Sequence, residues 1–410
     1  MRLARLILAA PLVAACGDLP DPAPTTFAPE FVETPAVPGS GQSHLAVAPD
    51  GTVVMSWLEP EADGHALRLA LLDGDSWSAP RTVARGDAWF VNWADFPSVV
   101  PVSDRLWAAH WLARRPEGGY AYDVEVAIST DGGHTWGAAI MPHTDGTATE
   151  HGFVTLFPSH EGVGAVWLDG RNMQGSGAEE DAHGHGEGGM TLRSAVIGAD
   201  GTLSREHLID SLTCDCCQTD VAIGPDGPVV AYRDRSEGEI RDIVVTRALE
   251  TGWSDPVPVL RDGWRIEGCP VNGPAIDAAS GTTAVAWFTA ANDQPRVLLA
   301  RSVDGGRSFS EAIPIDIESP TGRVDVVQLG GGDAIVSWLA SDPEGAAISV
   351  RRVASDGRIG PVRIVSRTAA SRPSGFPQMV ASGDQLVVSW TEVVEGETRV
   401  RTARFRLDSV

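Results

Sequence analysis

SHLAVAPDGTVVMSWLEP, residues 43–60, is followed by HALRLALLDGDSW at 65–77 and SAPRTVARG at 78–86. The first stretch alternates apolar and polar residues, turns at Pro49-Asp50-Gly51, and resumes as an apolar strand with Trp57 at its centre. Two more strand-like runs complete a four-stranded unit, because period-two alternation broken by Pro, Asp and Gly marks antiparallel strands and their turns. The second strand of this unit recurs through the chain, and its aromatic landmark falls at Trp57, Trp111, Trp167, Tyr232, Trp287, Trp338 and Trp390. The intervals are 54, 56, 65, 55, 51 and 52 residues. Near-even spacing of four-stranded units is the mark of radially repeated blades. A β-sandwich would need the same landmark to recur by accident. The fold class is therefore all-β, a propeller of four-stranded blades, seven by repeat count.

Outward from the repeat, the last unit ends at TRVRTARFRLD, residues 398–408, without a fourth strand. The segment EFVETP at 30–35 precedes the first unit and is predicted to supply that strand, closing the ring between the two ends of the chain and leaving no open sheet edge.

Ahead of that segment lies an export signal. Arg2 and Arg5 precede an apolar run from Leu6 to Ala15, and Val13-Ala14-Ala15 leads into Cys16. A short basic segment, an apolar core and small residues at the cut form a secretory leader, and the Val-Ala-Ala-Cys ending resembles the lipobox of bacterial lipoproteins. That resemblance implies cleavage before Cys16 and lipidation of its thiol. The expected organisation is a signal peptide at 1–15, a Pro-rich tether at 16–30 and the propeller at 31–410. The protein is then expected in the bacterial cell envelope, facing the periplasm or the exterior and held to the membrane by its lipid anchor alone. A net charge of −24 argues against nucleic acid, which is bound through clustered Lys and Arg. A monomer is expected.

Two turns carry a family resemblance. Ser129-Thr-Asp-Gly-Gly-His-Thr-Trp136 and Ser302-Val-Asp-Gly-Gly-Arg-Ser-Phe309 resemble the Asp-box of bacterial-neuraminidase repeats in sialidase-like β-propellers. The resemblance covers about Ser43 to Leu407. It implies turns between third and fourth strands in which Asp accepts backbone hydrogen bonds and Gly takes positive φ. Sialidases of this kind have six blades, which is the alternative to the count of seven.

In a propeller the starts of the innermost strands and the loops after the second strands open on one face, around the central channel. The innermost-strand starts contribute Asn92, Asp95, Glu150, His151, Asn272, Arg323, Asp325 and Arg372. The loops contribute Asp169, Arg171, Arg233, Asp234, Arg235, Arg241 and Asp242. Guanidinium forks match carboxylates, so this ring is read as an arginine-containing pocket for a glycan or other small acidic ligand. The sialidase resemblance implies a three-arginine carboxylate clamp, for which Arg171, Arg235 and Arg323 are candidates, with Asp95 or Asp169 as acid/base. It also implies a tyrosine nucleophile activated by a glutamate, for which the candidates are Tyr122 and Tyr232. Neither lies in the late blade where that family carries it. Binding without hydrolysis and sialidase-type glycoside hydrolysis are both open readings.

A second constellation consists of Cys214, Cys216 and Cys217 at the start of the fourth unit and Cys269 at the start of the fifth. In an oxidising compartment two disulfides are expected, with Cys269 reaching Cys216 or Cys217. The alternative is a copper or zinc site with His183 and His185 of the loop EEDAHGHGEGGM, which would make this a metal-handling or assembly protein. No cofactor is required by the first reading.

Overall fold

The computed structural model describes residues 26–173, 188–204, 206–317 and 319–410. The signal peptide, Cys16, most of the tether, His183 and His185 lie outside the described residues. The body is a seven-bladed propeller, in agreement with the repeat count and not with the six-bladed alternative. Blade 1 is built from Gly41–Val47, Val53–Glu61, Gly64–Asp73 and Arg81–Gly86, and blade 2 from Ser98–Pro101, Trp107–Arg114 and Tyr122–Ser129. A backbone bridge between Val126 and Ile140 stands in the fourth position of blade 2. Blade 3 runs His151–Ser159, Gly162–Asp169, Met190–Ile197, His207–Thr213, and blade 4 runs Asp220–Gly224, Gly227–Arg233, Ile243–Leu249 with the short outer strands Gly252–Trp253 and Val257–Pro258. Blade 5 is Ala275–Ala279, Thr282–Thr289, Arg296–Ser302, Ile313–Pro314, and blade 6 is Pro320–Gln328, Ala334–Asp342, Gly345–Val353, Arg363–Thr368.

Blade 7 takes three strands from the end of the chain, Gln378–Ser382, Gln385–Val394 and Glu397–Arg406, and its fourth from the start, Glu30–Val32. Glu30, Phe31 and Val32 pair antiparallel with Arg404, Ala403 and Thr402, as the missing strand required. Side chains reinforce the closure. Thr34 Oγ1 donates to Val400 O at 2.8 Å, and the Arg404 guanidinium binds both Glu30 and Asp75, so blades 1 and 7 are tied at the seam. Phe27, counted with the tether by sequence, already packs on the body, its ring 4.9 Å from that of Phe405.

The aromatic landmarks fill the space between sheets. Trp57, Trp167, Tyr232, Trp287, Trp338 and Trp390 are almost wholly buried, which is where an aromatic ring contributes most apolar area. Three of the indole N–H groups find carboxylates: Trp57 donates to Glu59, Trp111 to Glu125 and Trp167 to Asp169. The two Ser-x-Asp-Gly-Gly turns follow the third strands of blades 2 and 5. In each, the Asp accepts two backbone N–H groups, from His134 and Thr135 onto Asp131 and from Arg307 and Ser308 onto Asp304. Gly132 and Gly133 have φ of 73° and 74°, values that a side chain would resist.

Candidate functional site

The innermost strands surround a channel of about 510 Å³ lined by Asp95, Asp220, Asp277 and Asp325 among apolar and amide residues. Their carboxylates do one recurring job. Asp220 accepts the N–H of Ile276, Asp277 that of Gln328 and Asp325 that of Met379, each reaching the first strand of the next blade at 2.6–2.8 Å. The same residues also accept the N–H of their own next neighbour, at 2.8 Å in all three. Asp95 serves the junction of blades 2 and 3, accepting the Phe153 N–H at 2.8 Å. Burial pushes Asp220 up to about 6 and Asp325 well above the usual carboxylate range.

The arginines predicted to line a pocket are largely committed to the scaffold. Arg233 is buried and spends its guanidinium on the carbonyls of Asn272, Arg241 and Phe288, with Trp264 stacked against it. Arg323, at a positive φ of 53°, donates to Ser371 O, Ser374 Oγ and Gly375 O and lies 4.6 Å from the Trp93 ring. Asn272 receives the Arg323 N–H and donates to Pro270 O and Thr321 O; Asn92 caps its own turn by accepting the Ala94 N–H. Arg235 pairs with Asp215 and Glu239, and Arg241 with Glu239. Arg171 pairs with Asp169, Asp145 and Glu206. Arg372 is exposed. Of the three arginines considered for a carboxylate clamp, Arg171 and Arg235 are held in ion pairs and Arg323 staples blade 6 to the segment before blade 7. Asp169 accepts from Arg171 and the Trp167 indole, which hold its carboxyl below the usual range against the opposing effect of burial.

The junction of blades 2 and 3 differs. The Tyr122 hydroxyl donates to Glu150 Oε1 at 2.5 Å and lies 3.2 Å from Asp95 Oδ2, beneath Phe90 stacked at 4.0 Å. Burial pushes Glu150 up to about 8 and Asp95 up to about 7, and burial together with these two carboxylates drives the Tyr122 phenol well above its ordinary value. The trio is packed without slack, because a Cβ on Gly152 would stand 2.0 Å from Asp95 Oδ2. Tyr232 lies elsewhere, buried, with its hydroxyl on Asp210 at 2.7 Å.

Next to the trio, the imidazoles of His143 and His151 stack face to face at 3.9 Å, wholly buried, among Asp123, Asp145 and Asp169. His151 and Asp169 were among the residues assigned to the channel face; Asp123, His143 and Asp145 were not. They sit in the third strand of blade 2 and the connection to blade 3, and the only signal was the pair of polar residues flanking Thr144 in PHTDG.

The cysteines form Cys214–Cys217 and Cys216–Cys269, so the second bridge joins the segments leading into blades 4 and 5. Paired in this way, the four sulfurs offer no free thiolate.

No protein-family model and no curated protein matches the chain. Among solved structures it is similar to a protein of unknown function from Dyadobacter fermentans, at 15% identity over 90% of this chain and 95% of that one, with a TM-score of 0.51. It is similar in the same degree to the polysaccharide lyase Uly1, at 10% identity, 89% of each chain and a TM-score of 0.51. A sialidase of Trypanosoma rangeli in complex with sialic acid matches at 12% identity and a TM-score of 0.48, over 89% of this chain and 60% of that one. At such identities the likeness is one of fold.

Proposed function

We propose that the protein is an extracytoplasmic lipoprotein, anchored through Cys16, whose sialidase-like propeller binds a carboxylate-bearing glycan at the mouth of its channel without hydrolysing it. The observation that carries this reading is the arrangement at that mouth: a partly exposed Trp93 stacked on Phe376, with the Arg323 guanidinium over its ring and the exposed Arg372 next in chain to Ser371, which Arg323 holds. An aromatic ring and an exposed guanidinium suit a sugar ring and its carboxylate. The channel below, lined by four carboxylates, is a poor host for an anion, so the acid group stays at the rim. Tyr122 supports the non-hydrolytic half of the proposal. Its phenol is buried beneath Phe90 and, driven well above its ordinary value by burial and the two neighbouring carboxyls, keeps its proton as a donor to Glu150.

Binding of the full chain to an array of acidic glycans tests the proposal, with Arg372→Ala expected to weaken capture about tenfold. An array with no acidic ligand refutes it. Sialidase-type hydrolysis is the second reading, favoured by the meeting of Asp95, Tyr122 and Glu150. Turnover of a fluorogenic α-sialoside, lost in Tyr122→Phe, would put it in place of the first.

A further inference from the structure

Among the described residues, four buried polar atoms that find no hydrogen-bond partner cluster between blades 2 and 3: His143 Nδ1, His151 Nε2, Asp145 Oδ1 and Asp123 Oδ1. Polar atoms hidden from water and left unpaired are costly. Their concentration in one spot is unlike the scattered orphans elsewhere in the fold.

Hydrogen bonds assign the protons. His151 Nδ1 faces the carbonyls of Thr149 and Tyr122 at 3.2 and 3.3 Å, so it carries hydrogen and donates. The lone pair of a neutral His151 is then on Nε2, which stands 3.2 Å from Asp145 Oδ1 and 3.8 Å from Asp169 Oδ2. At 3.2 Å no hydrogen bond is formed, because the carboxylate lies off the direction a ring N–H would take. His143 is arranged the other way round. Its Nε2 accepts the Val124 N–H at 3.3 Å, which leaves hydrogen on Nδ1, 3.4 Å from Asp145 Oδ1.

We propose that His151 Nε2, Asp145 Oδ1 and Asp169 Oδ2 bind one divalent transition-metal ion, with zinc as the type case. Metal–ligand bonds of about 2.1 Å in a tetrahedron set neighbouring donor atoms about 3.4 Å apart, and the measured separations of 3.2 and 3.8 Å bracket that value. A mixed imidazole and carboxylate set suits zinc or its first-row neighbours, whereas calcium and magnesium take oxygen alone. The outer contacts match as well. A ligating histidine characteristically donates its other N–H to a carbonyl, as His151 does, and His143 supplies a ring N–H beside Asp145. Formal charge favours a cation: Asp123, Asp145, Asp169 and Glu206 oppose only Arg115, Arg171 and Arg193 in the same contact network. Arg171 Nη2 reaches Asp169 Oδ2 at 2.6 Å and Asp145 Oδ1 at 3.4 Å, so it competes for the ligands.

The test is zinc retention by the full chain after chelator stripping, equilibrium dialysis against buffered zinc and elemental analysis. One zinc per chain is expected, reduced at least tenfold in affinity by Asp145→Asn and by His151→Gln, and tightened by Arg171→Gln, which removes the competing cation. The double change His183→Ala with His185→Ala is expected to leave zinc bound. No zinc in the parent overturns the proposal; so does equal retention in Asp145→Asn, or loss through the His183 and His185 change. If Asp145→Asn fails to fold, as read by its thermal transition, the gain in Arg171→Gln decides, since a purely structural ion pair predicts no such gain.

Discussion

Two kinds of blade junction coexist in this ring. Between blades 4 and 5, 5 and 6, and 6 and 7, one partly buried aspartate of the innermost strand accepts a backbone N–H from the next blade, without a cluster of further titratable groups like that between blades 2 and 3 among the described residues. Between blades 2 and 3, Asp95 does the same for Phe153, but it also takes part in a Tyr122 and Glu150 cluster, and a pair of stacked histidines with three more aspartates lies alongside. Chemistry that repeats from junction to junction is scaffold. Chemistry that appears at one junction, and needs buried groups the scaffold does not need, is where a function is to be sought.

The comparison is broken most severely by weakening a repeated junction. The junction of blades 4 and 5 carries the Cys216–Cys269 bridge, spanning 53 residues, in addition to its aspartate lock. Loop-closure entropy values such a bridge at about 4 kcal/mol and one across three residues, such as Cys214–Cys217, at about 2 kcal/mol. Replacing Cys216 and Cys269 by serine is therefore expected to lower the denaturation midpoint roughly twice as far as replacing Cys214 and Cys217. Equal losses from the two pairs would show that the inter-blade bridge is not what holds this junction.

The locks themselves can be separated from ordinary surface acids by pH. Asp220 is held at about 6, above its unfolded value, by burial. The folded chain then binds more protons than the unfolded one between about pH 4 and 6, so this group's contribution is fully present below the unfolded value and is lost as pH rises through the folded value. Asp220→Asn removes the titration while keeping an oxygen for the Ile276 N–H. Its stability relative to the parent is expected to climb by up to about 3 kcal/mol between pH 4 and 7, read from paired thermal melts. A difference that stays flat across that range would mean that Asp220 is ionised without penalty and the channel is wetter than its lining suggests.

These contrasts also show what could be read from the chain beforehand. The blades were legible because Trp57 and its six counterparts mark strands whose alternation is local, and the closure was legible because a blade one strand short demands a partner. The fate of the arginines was not. Arg233 is satisfied by carbonyls 8, 39 and 55 residues away, and position on a face says nothing about whether a guanidinium is already spent. The blade 2 and 3 cluster was half visible: Asp95, Glu150, His151 and Asp169 stood at strand starts and ends, where the repeat directs attention. Asp123, His143 and Asp145 came from a third strand and an outer connection, where the repeat does not direct attention.

The finest probe of the comparison is Tyr122. Its hydroxyl is the donor shared by Glu150 and Asp95, and both acids sit well above the usual carboxylate range because they are buried. Tyr122→Phe keeps the ring under Phe90 and removes one hydrogen-bond donor, a change worth about 1 kcal/mol in stability. If the cluster is a sealed clasp, as the binding proposal holds, the variant melts slightly earlier and captures acidic glycans as the parent does. If the cluster is a catalytic centre that opens in the presence of substrate, the parent turns over an α-sialoside and the variant does not, whatever its melting point. The two outcomes differ in kind, so the small size of the stability effect does not blur the choice between a junction that only holds and one that also acts.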